Sequence, residues 1–295
     1  MPALVLLPLG AAILHTIAAL CLKRAMADGV KPAQVFQWVN WAAIPVFVPM
    51  IFWNPGAIPW ALVWQPALVA LFLVTGDLLT VAALRRGDVS LVGPLMGTKV
   101  IFVALGMVAW GGAVLGPRLW VAAVMTAVAV FVLGAPDMRG KTSHSTVAIL
   151  LVLIGSMCFA SADVWMQGWA PGFGRQAFIA LTMLAVPMWG AARLFVEPMP
   201  MFTLARLQWK WLAFGCAAQV CQRMLMSLAL SFYHNATVTN IVYSSRGLWA
   251  LLLVGLAGAA FGNRERRDTP RGAWMARIVG TVLLTAAIIL ALLRS

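Results

Sequence analysis

Charge is what this sequence lacks most. Only 10% of its 295 residues are charged, and Asp and Glu together number 8. A soluble domain carries roughly a quarter charged residues, so this composition cannot clothe a water-facing surface. Cysteine is scarce as well. Cys21, Cys158, Cys216 and Cys221 fall within or at the end of apolar runs, without a CxxC pair, which suits small apolar packing. The three histidines cluster neither with cysteine nor with one another, so a metal centre has no ligand set. Neither an HExxH motif nor a Ser/His/Asp set at one depth is present. The expectation is therefore no enzyme, no catalytic residue and no cofactor. Long polar connections are also missing, which leaves no independent soluble domain.

Apolar sequence fills the chain instead: 63% of residues are hydrophobic and mean hydropathy is +0.93. Runs of about 20 apolar residues match a hydrocarbon core about 30 Å thick crossed at 1.5 Å per residue. Ten such runs are read, at 3–22, 33–53, 66–84, 90–110, 118–135, 145–168, 177–196, 210–232, 236–257 and 273–293. The fold class is thus all-α, a polytopic membrane protein of ten transmembrane helices, placed in a cell membrane and most simply a bacterial inner membrane. The first run is read as a helix and not as a cleaved signal, because Lys23-Arg24 follows the apolar stretch instead of preceding it.

The net charge of +13 does not call for a nucleic-acid partner. Fourteen Lys/Arg residues sit in alternate loops: Lys23, Arg24, Lys31, Arg85, Arg86, Arg139, Lys141, Arg193, Arg206, Lys210, Arg264, Arg266, Arg267 and Arg271. Arg118, Arg175 and Arg294 are all that the other side holds. Cytoplasmic loops carry the Lys/Arg excess, so both termini are expected outside the cytoplasm. Trp53, Trp60, Trp120, Trp169 and Trp209 read as an interfacial belt.

The chain also matches itself at an offset of 146 residues. Ala83-Leu84 meets Ala229-Leu230, Val92 meets Val238, Ala104-Leu105 meets Ala250-Leu251, and Gly112/Gly116 meet Gly258/Gly262. The paired GxxxG spacings suggest close helix contacts. Residues 1–140 and 141–295 are read as two five-helix repeats. Five being odd, the second enters the membrane inverted, an arrangement used for alternating access.

The stretch Ala83-Leu84-Arg85-Arg86-Gly87-Asp88-Val89-Ser90, with Val92 and Pro94, resembles the drug/metabolite transporter superfamily in its ten-helix EamA-like form. Phe261-Gly262-Asn263-Arg264-Glu265 is similar to that family's ending of the ninth helix. The sequence departs from the family pattern at Gly116-Pro117-Arg118, where many members carry a glutamate, and at Asn240, the repeat partner of Pro94. The resemblance implies a secondary carrier in the bilayer. It also implies cytoplasmic termini, the reverse of what the loop charges imply.

Four cations fall outside the loops: Lys99, Arg223, Arg246 and Arg277. Arg277 lies near a helix end and can snorkel. The other three lie near the centres of the fourth, eighth and ninth runs. A Lys or Arg at mid-membrane costs about 2.5–3.5 kcal/mol on insertion scales, so it marks a functional site by default. The 146-residue offset carries Asp77 onto Arg223 and Lys99 onto Ser245, beside Arg246. Two cations from opposite halves thus make an anion site. Basic residues on the fourth and ninth helices are similar to those holding substrate phosphate in the triose-phosphate and nucleotide-sugar branch, which implies the same role for Lys99 and Arg246.

Other readings stay open. Asp77 can neutralise Arg223, and Asp163 can neutralise Lys99 or Arg246, in a purely structural network. Alternatively, Asp77 or Asp163 grips the ammonium of an amino acid or other zwitterion. His15 lines the cavity, takes part in proton coupling, or packs. Gln37, Asn40, Gln167, Gln219, Asn240, Tyr243 and Ser244 either bind substrate or bridge helices, and Trp165 and Trp249 either wall the cavity or pack. The expected substrate-binding set is Lys99, Arg246, Arg223, Asp77, Asp163, His15, Tyr243 and Asn240. The expected function is secondary transport of a small polar, anionic metabolite, phosphorylated or carboxylated, by alternating access in a monomer or homodimer, the alternative being export of an amino acid or other zwitterion. A channel lacks its continuous polar stripe.

Overall fold

The computed structural model describes residues 2–53, 56–86, 95–138, 146–196, 204, 206–257 and 271–293. Among them there are helices and no strands. Inside a bilayer every backbone N–H and C=O must be satisfied within the segment, and the helix does this. The helices are α1 (Pro2–Ala27), α2 (Pro32–Phe52), α3 (Trp64–Arg86), α4 (Lys99–Ala109), α5 (Pro117–Met138), α6 (Thr146–Phe173), α7 (Arg175–Val196), α8 (Arg206–Tyr233), α9 (Ala236–Tyr243), α10 (Arg246–Ala257) and α11 (Arg271–Leu292). Seven spans are long and apolar enough to cross a membrane: those of α1, α2, α3, α5, α6, α8 and α11. The protein is a multi-pass membrane protein.

Local chemistry sets the ends. α1 stops at Gly29, whose φ of 102° lets Val30 N–H reach back to Ala25 C=O at 3.1 Å, satisfying an orphan carbonyl. Pro32 opens α2, where its missing N–H costs nothing, and Gln34 accepts from Lys31 N–H at 2.9 Å. A single residue, Gly174 at φ 102°, joins α6 to α7.

Two of the ten expected runs are not continuous helices. The ninth, expected unbroken over 236–257, is interrupted at Ser244-Ser245. Ser244 Oγ donates back to Asn240 C=O at 2.9 Å, offering the backbone an alternative to the helical ladder. The fourth, expected from residue 90, shows a 3₁₀ turn at Met96–Thr98 before α4 begins at Lys99; residues 87–94, with the motif through Pro94, lie outside the described residues. Offset by 146, the 3₁₀ turn falls on 242–244, so both interruptions occupy equivalent positions.

The GxxxG expectation is corrected for the first half. Gly112 and Gly116 lie in the α4–α5 connection, Gly112 has φ 59°, and neither would bring an added Cβ within 4 Å of a neighbour. Gly258 and Gly262 lie outside the described residues. Close helix approach occurs elsewhere. A Cβ on Gly76 would stand 2.8 Å from the Phe159 ring, and one on Gly155 3.3 Å from Gly76 C=O, so α3 and α6 cross almost backbone to backbone.

The principal packing partners are α1 with α8, α3 with α6, α5 with α11, and α2 with α7; α4 lies on α6, and α9 and α10 lie on α1. Burial follows. The α6 span is 56% buried and the α11 span 17%, so α6 is central and α11 peripheral. Phe47, Phe173, Phe178, Ile179 and Leu230 fill the core, while Leu256, Met188 and Phe214 stand exposed where lipid would meet them. Trp53 and Trp60 are exposed as a belt would require. Trp169, in contrast, stacks on Trp165 at 5.3 Å, and Trp165 packs edge-on to Phe72 at 4.7 Å. Trp249 packs against the core.

Candidate functional site

Several of the polar residues singled out in the sequence lie near the middles of their helices. His15, Asn40, Asp77, Asp163, Gln219 and Arg223 each lie within about one turn of the midpoint of their helices, and Lys99 and Arg246 each stand at the first residue of the helix that follows an interruption. They form two clusters that meet at α8.

The first cluster joins α4, α6 and α9. Lys99 Nζ lies 2.7 Å from Asp163 Oδ2, and Asn240 Nδ2 donates to the same oxygen at 2.8 Å. Asp163 and Asn240 are buried. A buried charge must be paired and hydrogen-bonded, and Asp163 has both kinds of partner. Arg246 belongs to this cluster without a carboxylate. Its guanidinium lies over the Tyr243 ring, 5.0 Å from the centroid, within cation–π reach, and Nη1 makes a long 3.5 Å contact with the Tyr243 hydroxyl. Gln222 Nε2 donates to that hydroxyl at 3.2 Å, and Gln219 Nε2 donates to Gln222 Oε1 at 3.0 Å. His15 meets the Tyr243 ring edge-on at 5.8 Å, and its buried Nδ1 has no hydrogen-bond partner.

The second cluster joins α2, α3 and α8. Arg223 Nη2 faces Asp77 Oδ2 at 3.8 Å, and Nη1 donates to Asn40 Oδ1 at 2.8 Å. Asp77 and Arg223 thus come together as the 146-residue offset suggests. Gln37 and Gln167 bridge helices: Gln37 Nε2 donates to Gly190 C=O at 3.0 Å, and Gln167 Oε1 accepts from Ala236 N–H at 2.5 Å.

Three polar residues were not singled out in the sequence. Gln222 neighbours Arg223, and its three-residue spacing from Gln219 was the available signal. The single Thr16 hydroxyl proton is shared between Ala12 C=O at 3.0 Å and Arg246 C=O at 3.2 Å, which brings α1 to the interruption. Ser245 Oγ is buried there without a partner. Nothing in an apolar run announces either contact.

Of the three central cations, two face carboxylates; among the described residues Arg246 faces none within 4 Å. Two apolar grooves, of about 340 and 520 Å³, flank α8 on its α2 and α1 sides, away from these clusters. No group of His, Cys, Asp and Glu among the described residues could hold a metal ion.

Comparison with known proteins agrees with this architecture. A solved crystal structure superposes with a TM-score of 0.69 at 17% identity, covering 99% of this chain and 97% of its own; that likeness shows the fold. No curated protein matches the chain in sequence. Residues 2–135 match the model of the EamA-like transporter family, and that match marks the first half of this membrane protein as similar to a transporter of the drug/metabolite type.

Proposed function

We propose that the protein is a secondary carrier that moves a small anionic metabolite, phosphorylated or carboxylated, by alternating access of two inverted five-helix halves. The observation that carries the substrate class is Arg246. Lys99 and Arg223 have their counter-ions in Asp163 and Asp77, whereas among the described residues Arg246 has no carboxylate within 4 Å and lies against the Tyr243 phenol beside the interruption. An unneutralised cation at mid-membrane is costly, and an anionic solute that supplies the missing charge offsets that cost while bound.

The packing pattern supports the two-half reading. Exchanging the halves turns the α1–α8 contact into α6–α3, maps α2–α7 and α5–α11 onto themselves, and turns α4–α6 into the contact of α9 and α10 with α1. The interrupted helices at equivalent positions add to it, since carriers place substrate where helices break near the midplane. Zwitterion export is the weaker reading, because both central carboxylates already hold a cation.

A thermal-shift screen of purified protein against phosphorylated, carboxylated and zwitterionic metabolites tests the proposal. A ligand at 100 times its Kd stabilises the native state by about 2.7 kcal/mol. Stabilisation by anions that is lost in Arg246→Ala is the expected result; stabilisation by zwitterions alone would replace this reading with the second.

A further inference from the structure

We propose that Asp163 is a displaceable counter-ion that makes anion binding proton-linked: a proton on Asp163 releases Lys99 to become a second anchor for the anion held by Arg246. The inference rests on the anion-carrier reading above and deepens it. It stands on an asymmetry between the two central ion pairs. Arg223 and Asp77 are 3.8 Å apart, and Arg223 has a second partner in Asn40. Lys99, which opens α4 after its 3₁₀ turn, and Asp163 on α6 are in tight contact at 2.7 Å, with Asn240 completing the same carboxylate oxygen.

While Asp163 is ionised, Lys99 is spoken for, and an anion meets one free cation. When Asp163 takes a proton from water, its charge is gone and the Lys99 ammonium has no counter-ion in the cluster. Asn240 can still donate to the neutral acid, so the carboxyl is not orphaned. The incoming anion then restores neutrality, and anion and proton bind together. The other charged or titratable groups around Asp163 are Tyr243 on α9, Arg246 on α10, His15 on α1, and the mutually paired Asp77 and Arg223 on α3 and α8. Arg175 on α7 is bound away from it, to Ser231 C=O. His15 is the rival proton site to be excluded, because among the described residues its Nδ1 has no hydrogen-bond partner and its ring meets Tyr243 edge-on in the same cluster.

Sulfate is a suitable probe, since it stays doubly charged across the range used. Sulfate binding to the detergent-purified protein is measured calorimetrically from about pH 7.5 to about pH 5.5. One linked proton tightens binding by at most about ten-fold per pH unit, and wild type is expected to approach that slope. Asp163→Asn should bind tightly at both ends with no slope, and His15→Gln should keep the slope. By reciprocity, adding sulfate to weakly buffered wild type should draw protons from solution, and Asp163→Asn should draw none. If Asp163→Asn fails to fold, Asp163→Asn with Lys99→Gln removes both charges and should bind weakly and without slope. A wild-type slope of zero, a slope surviving in Asp163→Asn, or one abolished by His15→Gln overturns the coupling. Arg246→Ala reports separately on the carrier reading: sulfate binding unchanged there, or absent from wild type throughout, overturns both.

Discussion

At the residue scale, the structure turns a list of intramembrane charges into distinct roles. Arg246 is a fork aimed from a helix start, and a planar guanidinium makes paired charge-assisted hydrogen bonds that an ammonium cannot copy. Each such bond contributes about 1.5–3 kcal/mol, so Arg246→Ala should weaken anion binding at least about ten-fold, at 1.4 kcal/mol per decade. Arg246→Lys should keep the charge and lose most of the affinity, and Arg277→Ala should leave it intact. Equilibrium binding to folded variants checks all three. Arg223 and Asp77 invite a thermodynamic cycle. Breaking a fully buried pair costs about 3–5 kcal/mol, while removing both partners can be nearly neutral. Their 3.8 Å separation and partial exposure put Asp77→Asn below that range, and adding Arg223→Gln should recover much of the loss. Additive effects on thermal stability would deny the pairing.

Charges were legible in the sequence because they are rare. Lys99, Asp163, Arg223 and Arg246 could hardly be missed in such apolar surroundings, and the 146-residue offset matched Asp77 to Arg223. Which cation Asp163 takes was not legible. The offset carries Lys99 to Ser245, beside Arg246, yet Asp163 pairs with Lys99 and not with Arg246 through helix packing that no local pattern encodes. Gln222 escaped notice for a related reason: its value depends on Tyr243, which arrives from another helix.

At the scale of elements, the helices were found and their interruptions were not. An apolar run reads the same whether continuous or broken, and Ser244-Ser245 is too short a signal against flanking valine, isoleucine and leucine. Glycine was misassigned in the same way. Spacing alone cannot tell a helix-contact glycine from a loop glycine, so Gly112/Gly116 looked like a packing motif while Gly76 and Gly155 did not. The distinction is testable. Gly76→Leu should drive its side chain into Phe159 and cost at least the roughly 1–3 kcal/mol typical of overpacking. Gly116→Ala, with nothing within 4 Å, should scarcely move the melting temperature. Equal losses would contradict the packing described for α3 and α6.

For the whole molecule, orientation follows from loop charge. With fourteen Lys/Arg residues at one set of helix ends and connections and three at the other, a reporter active only in the cytoplasm and fused after Ser295 is expected to stay silent. Cytoplasmic activity would reverse the assignment and with it the side on which Arg175 and His234 lie.

The interruption at Ser244-Ser245 has a mechanical consequence. At 1.5 Å per residue, α9 is about 12 Å long, well short of a hydrocarbon core of about 30 Å, and the described part of α10 runs about 18 Å from the joint. α9 and the described part of α10 are two arms meeting at Ser244-Ser245, with the Thr16 hydroxyl of α1 3.2 Å from the Arg246 carbonyl at the joint. Tilting the longer arm by about 10° sweeps its far end through about 3 Å, given that length. The side chain at the pivot, Arg246, would hardly translate at all.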